Sequence, residues 1–180
     1  MLTPLPLQLE VITFDIRQAI NAKLYYPALL VTLTLPEICA GLTLDKSQFV
    51  KQKQYVEFVD SYTRPEELGL DGISCYQLRG GLVHRADLRA HPYFGGTHVI
   101  FTTPESRGST HGFSIAVADK SAAMFDLVMM SNAMIEGARR WYGDNSSNQK
   151  VAENLAFLIR SCPNGLPPFV AGFPVVASGV

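Results

Sequence analysis

Charge is what this chain has least of. Of its 180 residues only 17% are charged, while 47% are hydrophobic; a soluble domain ordinarily has about a quarter charged. Such a composition excludes a disordered chain and leaves surface that a partner or a second copy would cover. The net charge of −1 supplies no long-range attraction to nucleic acid or to an anionic membrane, so any RNA contact must be local. Cysteine is scarce as well. Cys39, Cys75 and Cys162 form no C-x-x-C pair, and an odd number argues against a disulfide framework. They read as reduced thiols, two of them packed as small apolar residues. No uninterrupted run of 18 apolar residues is present, which argues against a membrane-spanning helix. The opening Met1–Leu7 has no basic segment and carries Pro4 and Pro6, unlike a secretory leader; a cytoplasmic location is expected. There is no G-x-S-x-G elbow, no H-E-x-x-H helix and no G-K-[ST] phosphate loop. His84, His91, His98 and His111, even with Cys75, fit no zinc spacing. No metal and no cofactor is expected.

What is present suffices for one domain with a sizeable core. Residues 1–12 read as an extended arm or edge strand, because prolines interrupt them. From Asp15 the apolar residues Ile16, Ile20, Leu24, Val31, Leu35, Ile38 and Leu42 recur at three-to-four spacing. This predicts one nearly buried helix over 15–42, kinked at Pro27 and restarted at Pro36. A second helix is expected over 45–62, with Phe49, Val56 and Val59 inward, and a third over 73–85, capped by Asp71 or Ser74. Residues 97–103 and 111–117 are β-branched, aromatic or alternating and predict a hairpin. A long helix over 121–142, capped by Asp119, and a last one over 148–160 follow. Residues 161–180 carry no charged side chain but hold four prolines and three glycines. Such a tail is expected to pack on its own domain or on a second copy.

Chemistry concentrates in Cys75–His84, near the end of the third helix. Arg79 offers a forked, permanently charged phosphate ligand. His84 offers an imidazole that titrates near neutrality. On an ideal helix, five residues separate them by about 140° in azimuth and about 7.5 Å along the axis. One helix cannot aim both at one small group; two copies about a two-fold axis can. Gly80 and Gly81 either permit close approach of another backbone or end the helix early. Structural roles stand beside these readings. Arg79 can pair with Glu37 or Asp71, and His84 can cap carbonyls at the helix end. The basic–aromatic run Arg139–Tyr142 reads as a helix end with an aromatic anchor.

The string Leu78-Arg79-Gly80-Gly81-Leu82-Val83-His84 matches the R-x4-6-H signature of HEPN-domain proteins. The wider run of Thr34–Cys39 followed by Cys75-Tyr76 resembles a group of uncharacterised bacterial HEPN-like proteins, over roughly residues 13–142. The resemblance implies a mainly α fold, a four- to five-helix bundle with an inserted β-hairpin. On this reading residues 1–160 form one HEPN-like domain with the hairpin at about 97–118, and 161–180 form an apolar tail. It implies a homodimer that cleaves or processes single-stranded RNA without metal. His84 would act as general acid or base on the ribose 2′-OH, and Arg79 would hold the scissile phosphate. The product would be a 2′,3′-cyclic phosphate. Arg85 and Arg89 would add phosphate contacts, and Tyr76 would stack on a base. The position after the arginine, usually Asn, Asp or His in the nucleases, is Gly80 here. The reading from a different class is a non-catalytic helical dimer that binds a protein partner or a nucleotide.

Overall fold

The computed structural model describes residues 3–88, 98–106, 108 and 110–179. The chain is mainly α, with small strands. Its centre is a helix with almost no charge, α2 (Tyr25–Gly41), whose one ionised residue is Glu37. A helix apolar on nearly all sides must be surrounded. α1 (Leu7–Asn21), α3 (Gln52–Tyr62), α5 (Gly72–Arg85) and α6 (Leu127–Asn145) all pack on it. Buried Leu9, Ile16, Leu33, Leu35, Met130, Met134 and Ile135 belong to the one core they share. Each such side chain contributes roughly 1.5–3 kcal/mol by leaving water.

The amino-terminal arm is helical. α1 starts at Leu7, with Pro6 just ahead of its first turn, where the missing donor has no intrahelical role. Leu9 and Ile12 extend the period of Ile16 and Ile20 backwards and are buried. The break between α1 and α2 falls at Lys23, which is left-handed at φ 61°, and not at Pro27. Pro27 occupies the first turn of α2, where proline is tolerated. α2 also runs unbroken through Pro36.

The second expected helix starts later. Residues 45–51 are not helical, Phe49 lies on the surface, and α3 begins where the Gln54 side chain accepts from the Lys51 amide at 2.8 Å. A short turn of helix, α4 (Pro65–Leu68), leads to α5. The expectation for α5 holds: Asp71 caps it, accepting from the Ser74 amide at 2.8 Å.

The inserted hairpin is corrected in pairing and extent. β1 (His98–Thr102) and β2 (Phe113–Val117) do not pair with each other. β3 (Lys120–Asp126) lies between them, parallel to β1 and antiparallel to β2. The true hairpin is β2–β3, so the insertion runs past 118, and α6 starts only at Leu127. Its cap is Asp126, which accepts from the Met129 amide at 2.9 Å, and not Asp119. Ser121-Ala122-Ala123-Met124 has good helix formers; two flanking strands outweigh that propensity.

α7 (Gln149–Leu155) ends before 160. Beyond it lie two small ribbons. β4 (Arg160–Cys162) pairs with β7 (Val175–Ala177), and β5 (Gly165–Leu166) pairs with β6 (Val170–Ala171). No residue from 161 to 179 is buried, so the tail is folded but lies outside the core. Among the described residues, no helix is long and apolar enough to cross a membrane.

Candidate functional site

α5 places the sequence-derived candidates, and they do not converge. Arg79 points at α2 and forms an ion pair with Glu37. Its side chain is 17% exposed against 33% for Glu37. Of the two pairings open to Arg79, Glu37 is the one formed; Asp71 is engaged as the cap. The reason lies in α2: its single carboxylate is set among apolar neighbours and needs a cation. The Arg79 Nε is buried and, among the described residues, has no hydrogen-bond partner.

His84 lies in the last turn of α5 and is exposed. Arg85 is exposed too, and its Nε donates to the Asp87 carboxylate at 3.1 Å. Tyr76 is half-buried, edge-on to the Tyr55 ring with centroids 5.4 Å apart. Tyr55 is itself buried and donates to the Leu33 carbonyl at 2.7 Å, so Tyr76 closes the edge of the core. Arg89 lies outside the described residues, as does His91.

The two glycines behave differently. The helix runs through both, so early termination is not their role. A Cβ on Gly81 would lie 2.8 Å from the Asp87 carbonyl oxygen. There the chain folds back after Ala86, left-handed at φ 52°, and the Asp87 amide reaches the Gly81 carbonyl at 3.4 Å. That close approach comes from its own chain. Nothing lies within 4 Å of a Cβ on Gly80.

Other basic groups are also neutralised. Arg139 pairs with Glu136 at 2.7 Å, and Arg140 faces Glu67 at 3.5 Å. Trp141 beside them is buried, which removes it as a stacking platform. His111 accepts from the Asp126 amide at 3.1 Å through Nδ1 and lies edge-on to Phe125. Burial pushes the Cys39 and Cys75 thiols far up, with Asp71 and Asp60 adding to the effect at Cys75; neither is a ready nucleophile. Among the described residues, no group of three His, Cys, Asp or Glu side chains could hold a metal ion.

One concavity adjoins Glu37 on the side away from sequence expectation. A mostly apolar groove of about 560 Å³ runs between the C-terminal half of α2, the turn 42–48 and the end of α7. Ile38, Leu42, Leu44, Phe157 and Leu158 form its walls. The Asn154 side chain donates to the Leu42 and Leu44 carbonyls at 2.9 and 2.8 Å, holding the turn open in this shape. The charges around it are engaged. Glu37 meets Arg79, Asp45 meets Lys150 at 2.7 Å, and the Lys46 ammonium sits 3.6 Å over the Phe157 ring. The sequence carried one trace of this groove, the apolar Phe157-Leu158 pair. It is hidden there because it reads as the continuation of α7.

No family model, no curated protein and no solved structure matches the chain. The HEPN resemblance therefore rests on the arginine–histidine string and its helical setting.

Proposed function

We propose that the chain is a non-catalytic helical binding module whose groove beside Glu37 takes an uncharged apolar segment of a protein partner. The observation that carries this reading is the engagement of Arg79 by Glu37. A scissile phosphate would have to displace a carboxylate that already holds the guanidinium at a largely buried position. A protein partner is favoured over a nucleotide by the groove's charges. Its walls are apolar, and Lys46 is the cation among its lining residues, already placed over an aromatic face. A phosphate has no preformed clamp there. Apolar side chains would gain roughly 25 cal/mol per Å² of surface removed from water.

A second reading is kept by one observation. His84 is exposed on the same helix as Arg79 and is free to face another copy. On that reading two chains form a metal-independent ribonuclease of HEPN type. Incubation with single-stranded RNA in EDTA separates the two. The expected result is no cleavage by wild type beyond that of an Arg79→Ala/His84→Ala double variant of unchanged circular dichroism. Chelator-resistant cleavage lost in both single variants overturns the non-catalytic reading. The groove is tested by nitrogen-15 correlation spectra with a leucine-rich peptide. Shifts gathered at 34–48 and 154–158 support it, and their absence there refutes it.

A further inference from the structure

We propose that the crevice where the C-terminal ends of α2 and α6 meet one side of α3 is a binding site for an alkylammonium ion, the terminal amine of a lysine side chain or of a small free amine. Helical spacing assembles it. Gln54, Glu57, Phe58, Ser61 and Tyr62 recur at three-to-four intervals and share one side of α3. Ala40 stands in the last turn of α2 with Thr43 just beyond it. Trp141 and Asn145, four residues apart, stand at the end of α6. Together they line a crevice of about 280 Å³. Buried Phe58 and Trp141 and half-buried Tyr62 supply its aromatic surface.

The charge and the helix ends of the crevice are all negative. Glu57 is the one formally charged residue among those that line it. Among the described residues its carboxylate has no ion pair and no hydrogen bond, although Lys53 stands one turn before it. A helix carries roughly half a negative charge at its C-terminal end. Two such ends converge here, and neither α2 nor α6 has a basic residue in its last turn to compensate. Arg139 and Arg140, a turn earlier in α6, are taken by Glu136 and Glu67. Neutral acceptors surround the carboxylate. Asn145 donates through Nδ2 to the Trp141 carbonyl at 2.8 Å, which leaves its Oδ1 to accept. Thr43 donates its hydroxyl hydrogen to the Ala40 carbonyl at 2.8 Å and keeps its lone pairs. The hydroxyls of Ser61 and Tyr62 have no hydrogen-bond partner among the described residues. Gln54, whose Oε1 accepts from the Lys51 amide, adds a neutral amide donor and no charge.

This chemistry selects an organic cation. A phosphate or carboxylate ligand would meet Glu57 and two negative helix ends. A divalent metal ion needs several carboxylate, imidazole or thiolate ligands, and among the described residues no group of three His, Cys, Asp or Glu side chains is placed to supply them. An ammonium group has only donors, which the Glu57 carboxylate and the hydroxyl and amide oxygens accept, while its methylenes lie on the aromatic surface. The volume falls just short of a drug-sized pocket, so it admits one amine with a short alkyl stem. The crevice shares no lining residue with the groove beside Glu37; it goes beyond the groove reading and does not depend on it.

Nitrogen-15 correlation spectra of the full chain, titrated with n-butylammonium chloride, test the site. The controls are n-butanol, an uncharged probe of the same length, and sodium chloride at equal ionic strength. Saturable shifts gathered at 40–43, 54–62 and 141–145 are expected with the amine and not with either control, at the millimolar affinity of so small a probe. Glu57 is exposed, so Glu57→Gln is expected to keep the melting temperature and to weaken binding about tenfold. Ser61→Lys, which puts an ammonium group of the chain's own in the crevice, is expected to abolish binding. Phe157→Ala, in the groove, is expected to leave it unchanged. Equal shifts with butanol, an affinity indifferent to Glu57→Gln, or no saturable shift at these residues overturns the proposal. Cadaverine and a lysine tripeptide with blocked ends distinguish the source. Tighter binding of the peptide assigns the site to a protein lysine, and tighter binding of cadaverine assigns it to a free amine.

Discussion

Replacing Glu37 by alanine should cost more than replacing Arg79 by methionine. The asymmetry follows from where each charge is left. Two unit charges about 4 Å apart attract by about 4 kcal/mol at an effective dielectric near 20. Desolvation of both groups offsets much of this, and removing one partner of a fully buried pair costs about 3–5 kcal/mol. This pair is only partly buried, so the figure must be reduced for water. Arg79 retains 17% exposure and its Nε is already unpartnered. Without Glu37 its charge stays among apolar groups, and the expected loss is about 2 kcal/mol. Glu37 is one-third exposed and can rehydrate when Arg79 is removed. Methionine also replaces the aliphatic stem of the arginine, so Arg79→Met should lose about 1 kcal/mol. The double variant should lose less than the sum, with a coupling of about 1–2 kcal/mol. The assay is urea unfolding followed by the single tryptophan, Trp141, which is buried and reports loss of the core. At a slope of about 2 kcal/mol per molar, Glu37→Ala moves the midpoint by about 1 M. A shift equivalent to less than about 0.5 kcal/mol, the range of an ordinary surface substitution, or a larger loss in Arg79→Met, would refute a structural role for the pair and return Arg79 to the phosphate-binding candidates.

The glycines of α5 give a paired test. Gly80→Ala meets open space and should stabilise the protein by about 0.5–1 kcal/mol, whereas Gly72→Ala puts its Cβ 2.8 Å from the Val56 carbonyl oxygen and should destabilise by about 1–3 kcal/mol; a destabilising or dimer-breaking Gly80→Ala would mean that another chain approaches the helix there. Alkylation with iodoacetamide under native conditions should label Cys162 alone, because Cys39 and Cys75 are buried and their thiols are held protonated; mass spectrometry finding either of those labelled first contradicts the core packing. Glu105 accepts from the Tyr25 hydroxyl at 2.7 Å and pairs with Lys23 at 3.0 Å, and these contacts lower its carboxyl to about 2. A depressed carboxyl contributes stability above its unfolded value and loses it as pH falls through the folded one. The contact of the 103–106 turn with the start of α2 should therefore persist to about pH 4 and release towards pH 2, and a carbon-13 titration of Glu105 with a midpoint above 4 would contradict it.

Local rules were enough for much of the helical architecture. The period of Ile16, Ile20 and the residues of α2 required buried helices, and Asp71 stood where a cap must stand. Only in the last two turns of α5 was the candidate site legible, because Arg79 and His84 carry their chemistry in any context. Their azimuthal separation follows from helix geometry alone, as does the need for a second chain if they act together. Glu37 was named beside Asp71 as a carboxylate with which an arginine near the end of a buried helix can pair. Which of Glu37 and Asp71 would meet it was a matter of packing between helices distant in sequence.

The rest was decided by tertiary contact. Residues 120–126 are helix-tolerant by propensity and became a strand because β1 and β2 flank them. Proline was overweighted at positions 6, 27 and 36, since its penalty depends on place within a helix and not on its presence. The groove beside Glu37 and the crevice beside Glu57 exist only once distant segments are juxtaposed. Short-range periodicity records which way a side chain faces along one element. It does not record what lies across from that face, and there the sequence alone stops.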